Sequence, residues 1–244
     1  MAPRELWVAD LGTIRYDAAL ALQRDVAARR ISGELSQDVL LLVEHPPVIT
    51  FGRSIKPAHL TATPALLESR GVDVRETERG GDITFHGPGQ LVGYPIVDLT
   101  RHRRDLHWYL RALEEVLIRA LGALGIAAER NPGRTGVWTR GRKIASIGVH
   151  ARQWVTWHGF ALNVTTDLSY FDLMVPCGIA GVEMTSLARE CQELGIATES
   201  SALRARSHDA VVNAMSRVFD LVPRPWTAGQ LAGTCIASDH AGTA

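Results

Sequence analysis

A cysteine stands between a proline and a glycine in the stretch Val175-Pro176-Cys177-Gly178-Ile179. Free cysteine is among the most buried residue types and commonly packs as a small hydrophobe. The neighbours here point elsewhere, because proline fixes the backbone entering the site and glycine permits a turn or a close approach. A sulfur on such a bend is presented to a partner. To act as a nucleophile it must be a thiolate, yet a free thiol of pKa near 8.5 is only a few per cent ionised at neutral pH. Lys143, at the head of the small and apolar run in "GRKIASIGVH", could supply a stabilising ammonium. Lowering a thiol pKa by about two units takes about 2.7 kcal/mol of interaction. His86, His150 and His158 offer the alternative of a Cys-His pair. Residue types alone leave that choice open and support a thiol enzyme.

The second candidate is "RGGDITFHGPGQLVGYP", from Arg79 to Pro95. No G-x-x-x-x-G-K-[ST] string occurs, so a Walker loop is excluded, and "GPGQLVG" has the wrong spacing for a dinucleotide fingerprint and runs into a strand. Glycines this dense let backbone approach a ligand closely, with Arg79 and His86 as polar contacts at the rim. A purely structural hairpin has the same composition.

Several elements must position these groups. Apolar spacing predicts a helix from Tyr16 to about Arg30, a buried strand over Val39–Glu44, and short strands over Val72–Thr77, Ile83–Phe85 and Leu91–Val97. Two prolines carry "EHPPVITFGR" out of the first strand. Leu106, Tyr109, Leu113, Leu117, Ala120 and Leu124 share one helical face. Three β-like runs follow, "GVW", "KIASIGVHA" and "VTWHGFALNV", and a last helix is expected from about Ser207 to Phe219. Hairpin-like grouping of strands argues for an α+β class with a mixed or antiparallel sheet.

Composition limits the rest. The 244 residues include 26 basic and 26 acidic side chains, so no overall positive field argues for nucleic acid or a membrane surface. The basic stretch Arg101–His107 reads as a solvated loop before a helix. Three cysteines, Cys177, Cys191 and Cys235, form no zinc-ligand spacing, and no metal is expected. The first residues lack a secretory core and the longest aliphatic run, Val39–Val43, is too short to span a bilayer, so a cytoplasmic protein with reduced thiols is expected.

Taken together, "EHPPVITFGR", "RGGDITFHGPGQLVGYPIVDL", "GVW…GRKIASIGVHAR…VTWHGFALNV" and "VPCGI…MTSL" resemble the lipoyl(octanoyl) transferase family, in the same order, over about Val39 to Leu187. The resemblance implies an α+β fold like the catalytic core of biotin and lipoate protein ligases, with mixed β-sheets flanked by helices. One catalytic domain would span residues 1–225, with 226–244 a frayed tail. It implies transfer of octanoyl from acyl carrier protein to a lysine of lipoyl domains, those of 2-oxoacid dehydrogenase complexes and of the glycine cleavage H protein. By the same likeness Cys177 is the acyl-carrying nucleophile and Lys143 the residue that activates it. Arg79, Gly80, Gly81, Asp82, Ile83, Thr84, Phe85 and His86 match the substrate-binding loop, with Ser146, Ile147 and Gly148, and Gly159, Phe160 and Ala161, as two further acyl-pocket segments. Met184 stands where the family usually has valine. No cofactor is implied, because a thioester already drives amide formation. Two alternatives share much of this pattern: an ATP-dependent lipoate-protein ligase, against which Cys177 argues, and a thiol-dependent octanoyl amidotransferase acting between lipoyl proteins.

Overall fold

Strand β2 (Asp38–Glu44) is apolar on both faces, and its side chains divide between two cores. Leu40 and Leu42 enter one, while Val39, Leu41 and Val43 enter the other. A strand buried on both sides belongs in the middle of a covered sheet. A computed structural model of the chain describes residues 4–178, 181–197 and 199–226, with Cys177, Ser200 and Ser201 as backbone only.

The covered sheet has eight strands in the order β11-β1-β2-β6-β10-β9-β8-β7. Their ranges are β1 Glu5–Thr13, β6 Gln90–Ile96, β7 Glu129–Asn131, β8 Arg134–Thr139, β9 Arg142–Arg152, β10 Val155–Asn163 and β11 Val222–Pro225. β1 runs parallel to both neighbours, and every other pairing is antiparallel. A smaller sheet, β4 (Asp73–Glu76), β3 (Val48–Phe51) and β5 (Ile83–His86), packs over its own core of Ile49, Ile83, Phe85, Phe171 and Met184.

Helices cover the large sheet on its two faces. α1 (Tyr16–Ser32) buries Ala19, Leu22 and Val26 on one side. α3 (Leu106–Ala123), α4 (Leu187–Glu193) and α5 (Ser200–Phe219) cover the other with Tyr109, Leu113, Val116, Leu187, Val211 and Met215. α3 starts where Asp105 accepts the Trp108 N–H at 3.0 Å, and α1 ends on Gly33 at φ +82°, the left-handed turn glycine adopts at no steric cost. α2 (Pro64–Ser69) is a short turn capped by Thr63.

Expected and observed elements differ in places with a physical cause. α5 begins at Ser200 rather than Ser207, because the fully buried Ser207 interrupts its apolar face and hides the earlier turns. The two prolines do carry the chain out of β2 and its sheet, but Val48–Phe51, not read as a strand, forms β3 of the smaller sheet directly after Pro47; a proline before the first strand residue removes no ladder bond. β11 carries Pro223 and Pro225 and lies at the edge of the sheet, the position that tolerates them. The expected tail starts at residue 226, yet Trp226 is buried 5.7 Å from the Trp7 ring and donates its backbone N–H to Val8 O. Residues 227–244, including Cys235, lie outside the described residues. His102, read as part of a solvated basic loop, is folded inward with Nε2 2.8 Å from Asp38 Oδ2, while Arg103 and Arg104 are exposed.

Candidate active site

The glycine-rich loop is organised by its own arginine. Arg79, only 7% exposed, donates from Nη2 to Thr50 O and Asp82 O, both at 2.7 Å, and from Nη1 to Gly80 O at 3.0 Å. It was expected at the rim as a ligand contact; the structure uses its guanidinium to hold the loop's carbonyls together. The Gly80 N–H donates to Val149 O at 2.8 Å and ties the loop to β9. That approach requires Gly148, since a Cβ there would stand 2.8 Å from Gly80 O. Gly159 serves a similar close packing, because a Cβ there would collide with Gly93 O and meet Pro95 Cδ at 2.5 Å. Both glycines belong to the expected acyl-pocket segments. They make room for neighbouring backbone and line the cavity as a result.

Gly87 and Gly89, read as points of ligand approach, are also structural. A side chain at Gly87 would run into the Phe85 ring, and Gly89 (φ +79°) would bring a Cβ to 2.7 Å from the Thr165 backbone. Phe85 itself is turned into the small-sheet core, its ring stacked 4.5 Å from Tyr170.

Between the loop and strands β6, β9 and β10 lies a cavity of about 420 Å³, of the size of a small-molecule pocket. Twelve of the fourteen expected binding residues line it: Arg79, Gly81, Asp82, Ile83, Thr84, His86, Ser146, Ile147, Gly148, Gly159, Phe160 and Ala161. Gly80 and Phe85 do not. Tyr16, Val92, Tyr94, Lys143, His158 and the exposed Gly133, Arg134 and Thr135, where the turn after β7 enters β8, complete the wall. Tyr16 and Tyr94 were missed because a single aromatic in an apolar run reads as core.

Lys143 is 1% exposed, its Nζ 5.1 Å over the Trp138 ring. Its aliphatic stem uses the space beside Gly136 (φ +132°), where a Cβ would lie 2.8 Å from Lys143 Cε. Glu183 and the start of the "MTSL" block that follows it fix its backbone: Lys143 N donates to Glu183 O at 2.8 Å and Thr185 N donates to Lys143 O at 2.9 Å. A buried polar chain runs from there back to the loop. Asn163 Nδ2 donates to Thr185 O, Gln90 Nε2 donates to Asn163 Oδ1, and Gln90 Oε1 lies 2.8 Å from His86 Nδ1.

The backbone of Cys177 sits in the one-turn helix Pro176–Gly178, its side chain outside the described residues. Val175 N donates to His59 O at 2.7 Å, and Gly178 N donates to Val175 O at 3.0 Å. Gly178 (φ +67°) faces two side chains, for a Cβ there would be 2.5 Å from Asp82 Oδ2 and 2.8 Å from His59 Cε1. Asp82 also lines the cavity that Lys143 lines, so the turn bearing Cys177 flanks that cavity. Cys191 is buried in the core against α3 and α5.

Electrostatics separate the histidines. Burial, reinforced by neighbouring His45, pushes His86 down to about 3, so its ring is neutral at physiological pH. Burial also lowers His158, whose Nε2 lies 3.3 Å from Thr77 Oγ1, and His150, whose ring tilts 4.2 Å from Trp157. His86 and His158 line the cavity; His150 does not. His59, unweighed from sequence, adjoins the cysteine's turn; nothing local in "IKPAHL" signals it. Among the described residues no group of three or more His, Cys, Asp or Glu could hold a metal ion, and no helix is long and apolar enough to cross a membrane.

The family model described as the lipoyl protein ligase A/B catalytic domain matches residues 15–219. A curated relative named octanoyltransferase, from Geobacter metallireducens, is 53% identical over 183 residues, which is 75% of this chain and 82% of that protein. A crystal structure of lipoate-protein ligase A bound with ATP superposes with a TM-score of 0.71 at 14% identity, covering 94% of this chain and 92% of that one. Biotin protein ligase from Leishmania major in complex with biotinyl-5-AMP gives 0.51 at 10% identity, covering 91% and 77%. At such identities the two structures share the fold alone with this chain.

Proposed function

Because the chain belongs to the lipoyl protein ligase A/B catalytic domain family, we propose that it is the acyltransferase of protein lipoylation, moving octanoyl from acyl carrier protein to a lipoyl-domain lysine through a thioester on Cys177. The observation that carries this reading is the shared cavity: Lys143 in its wall, and beside it, across Asp82, the turn that bears the cysteine.

The reaction then runs in two halves. The Cys177 thiolate, stabilised by the Lys143 ammonium, adds to the carrier thioester; collapse expels the carrier thiolate and leaves octanoyl on Cys177. The lysine amine of a lipoyl domain, from a 2-oxoacid dehydrogenase complex or the glycine cleavage H protein, adds to the new thioester and gives up one proton; collapse breaks the C–S bond, releases the amide and returns Cys177 as the thiolate. The first exchange is nearly balanced and the second runs downhill, so ATP has no role. Octanoyl lies against Ile83, Ile147, Phe160 and Ala161, and burial at about 0.8 kcal/mol per methylene gives a tail contribution on the order of 5 kcal/mol. Discrimination of chain length is then modest for each methylene.

The lipoate-ligase alternative rests on the ATP-bound neighbour, which shares fold alone; the curated relative's name favours the transferase. Transfer assays without ATP separate the readings. Cys177→Ser should abolish octanoyl transfer, and Cys191→Ala, remote from the cavity, should retain it once folding is checked. Wild-type turnover in Cys177→Ser, or an absolute need for ATP, contradicts the proposal.

A further inference from the structure

The histidine that adjoins the cysteine's turn is neither of those in the cavity. His59 ends a one-turn helix, Pro57–His59, and its carbonyl accepts the Val175 N–H. Its Nδ1 lies 2.7 Å from Asp82 Oδ2, while Asp82 Oδ1 accepts the Ile83 N–H at 2.8 Å. An ionised carboxylate only accepts, so in the neutral ring the proton sits on Nδ1 and Nε2 keeps its lone pair. The Cε1–Nδ1 edge of the ring lies against Gly178, where a Cβ would stand 2.8 Å from Cε1 and 2.9 Å from Nδ1, which leaves Nε2 on the side of the ring away from Asp82. The His59 side chain keeps 18% exposure and lies outside the cavity wall. A carboxylate that fixes a tautomer, a histidine with a free nitrogen, and a cysteine-bearing turn beside it form the arrangement in which histidine moves protons for a nucleophile.

Resting on the transferase reading above, we propose that His59, oriented by Asp82, is the base that takes the proton of the attacking amine in the second half-reaction. With the acyl chain in the cavity, the amine approaches from the solvent side, where His59 is. The amine nitrogen forms a bond to the thioester carbon as the carbonyl π electrons move to oxygen. One N–H proton passes to His59 Nε2. The carbonyl then re-forms, the C–S bond breaks with its electron pair on Cys177 sulfur, and the imidazolium releases its proton to water. The products are the amide, the thiolate and one solvent proton. The first half-reaction needs no such base, because the attacking thiolate carries no proton and the carrier departs as a thiolate.

The inference therefore predicts a defect in one step only. Full-length wild type, His59→Ala, His59→Gln and Asp82→Asn are charged with octanoyl-carrier protein without ATP, desalted, and mixed with apo lipoyl domain; charging and discharge are followed separately by intact mass. Both His59 variants should charge within about threefold of wild type and discharge about 10²-fold more slowly, the scale of a lost general base. Added imidazole should recover at least tenfold of the discharge rate in His59→Ala, a response that a purely structural defect does not give. Asp82→Asn, which also touches the acyl cavity, should slow discharge by a larger factor than it slows charging. Discharge at the wild-type rate, equal slowing of both steps, or a slow discharge that imidazole leaves unchanged overturns the assignment of His59. Wild type that never charges would instead contradict the Cys177 thioester, which separates the two failures.

Discussion

Lys143 and the histidines make distinct claims at the scale of single residues. If the Lys143 ammonium stabilises the thiolate, Lys143→Ala should raise the Cys177 pKa towards the free-thiol value near 8.5. Alkylation by iodoacetamide would slow at neutral pH and converge with wild type at strongly alkaline pH. Lys143→Arg keeps a charge but not a compact amine, and the close fit of the stem beside Gly136 and Trp138 leaves little room for a planar guanidinium. Turnover should fall further than the thiol titration moves. His86→Ala should leave that titration in place, since the ring is neutral and its Nδ1 is engaged with Gln90. A raised thiol pKa in His86→Ala, with none in Lys143→Ala, would transfer the activating role to the histidine. Cys177 stood out in the sequence because it lies between a proline and a glycine, whereas Lys143 at a strand end has a bland solvated reading and drew its proposed role from the family resemblance. His59 did not stand out, because its meaning comes from Asp82 and Gly178, 23 residues away in one case and in another loop in both.

At the scale of elements, the loop Arg79–His86 and strand β9 form one unit joined where Gly148 meets Gly80. Gly148→Ala places a Cβ 2.8 Å from Gly80 O, a backbone atom that must shift. The expected result is a raised KM for the acyl donor with a loss of stability of about 1–3 kcal/mol, the range for overpacking, read from substrate titrations and denaturant melts. Gly89→Val should behave differently. Its positive φ and its contact with the Thr165 backbone serve the fold, so the melting temperature should drop while the folded fraction still binds the donor. Leu113→Ala, buried in α3 far from the cavity wall, should cost about 2–5 kcal/mol and leave turnover per folded molecule unchanged. The strongly periodic elements, α3 and β2 among them, were legible from apolar spacing alone. β3 and the first turns of α5 were not, because proline beside a strand and a buried serine in a helix break the pattern that burial normally writes into sequence.

For the whole molecule, the buried histidines couple stability to pH. Burial holds His45 at about 4 and His86 at about 3, below the value near 6.5 of an unfolded histidine. The unfolded chain therefore binds more protons, and stability is lost as pH falls from about 6.5 towards 4, by up to about 1.4 kcal/mol per unit for each group. Carboxylates held low, such as Glu193 at about 2, add their loss only at lower pH, because their unfolded values lie near 4.3. Melting temperatures between pH 7 and 5 should fall, and His86→Gln should flatten that slope; a slope unchanged by the substitution would remove His86 from the account. The α+β fold and its cavity were recoverable only because several sequence blocks agreed in order, since no single block encodes a sheet whose strand order is β11-β1-β2-β6-β10-β9-β8-β7. What the assembled molecule is proposed to do reduces to one covalent event. Intact-mass spectrometry of the full chain after incubation with octanoyl-carrier protein, without ATP, reads it directly. The account expects one added octanoyl group, removed by hydroxylamine, lost on incubation with a lipoyl domain and absent from Cys177→Ser; an unmodified wild-type mass, or an adduct that persists in Cys177→Ser, would contradict it.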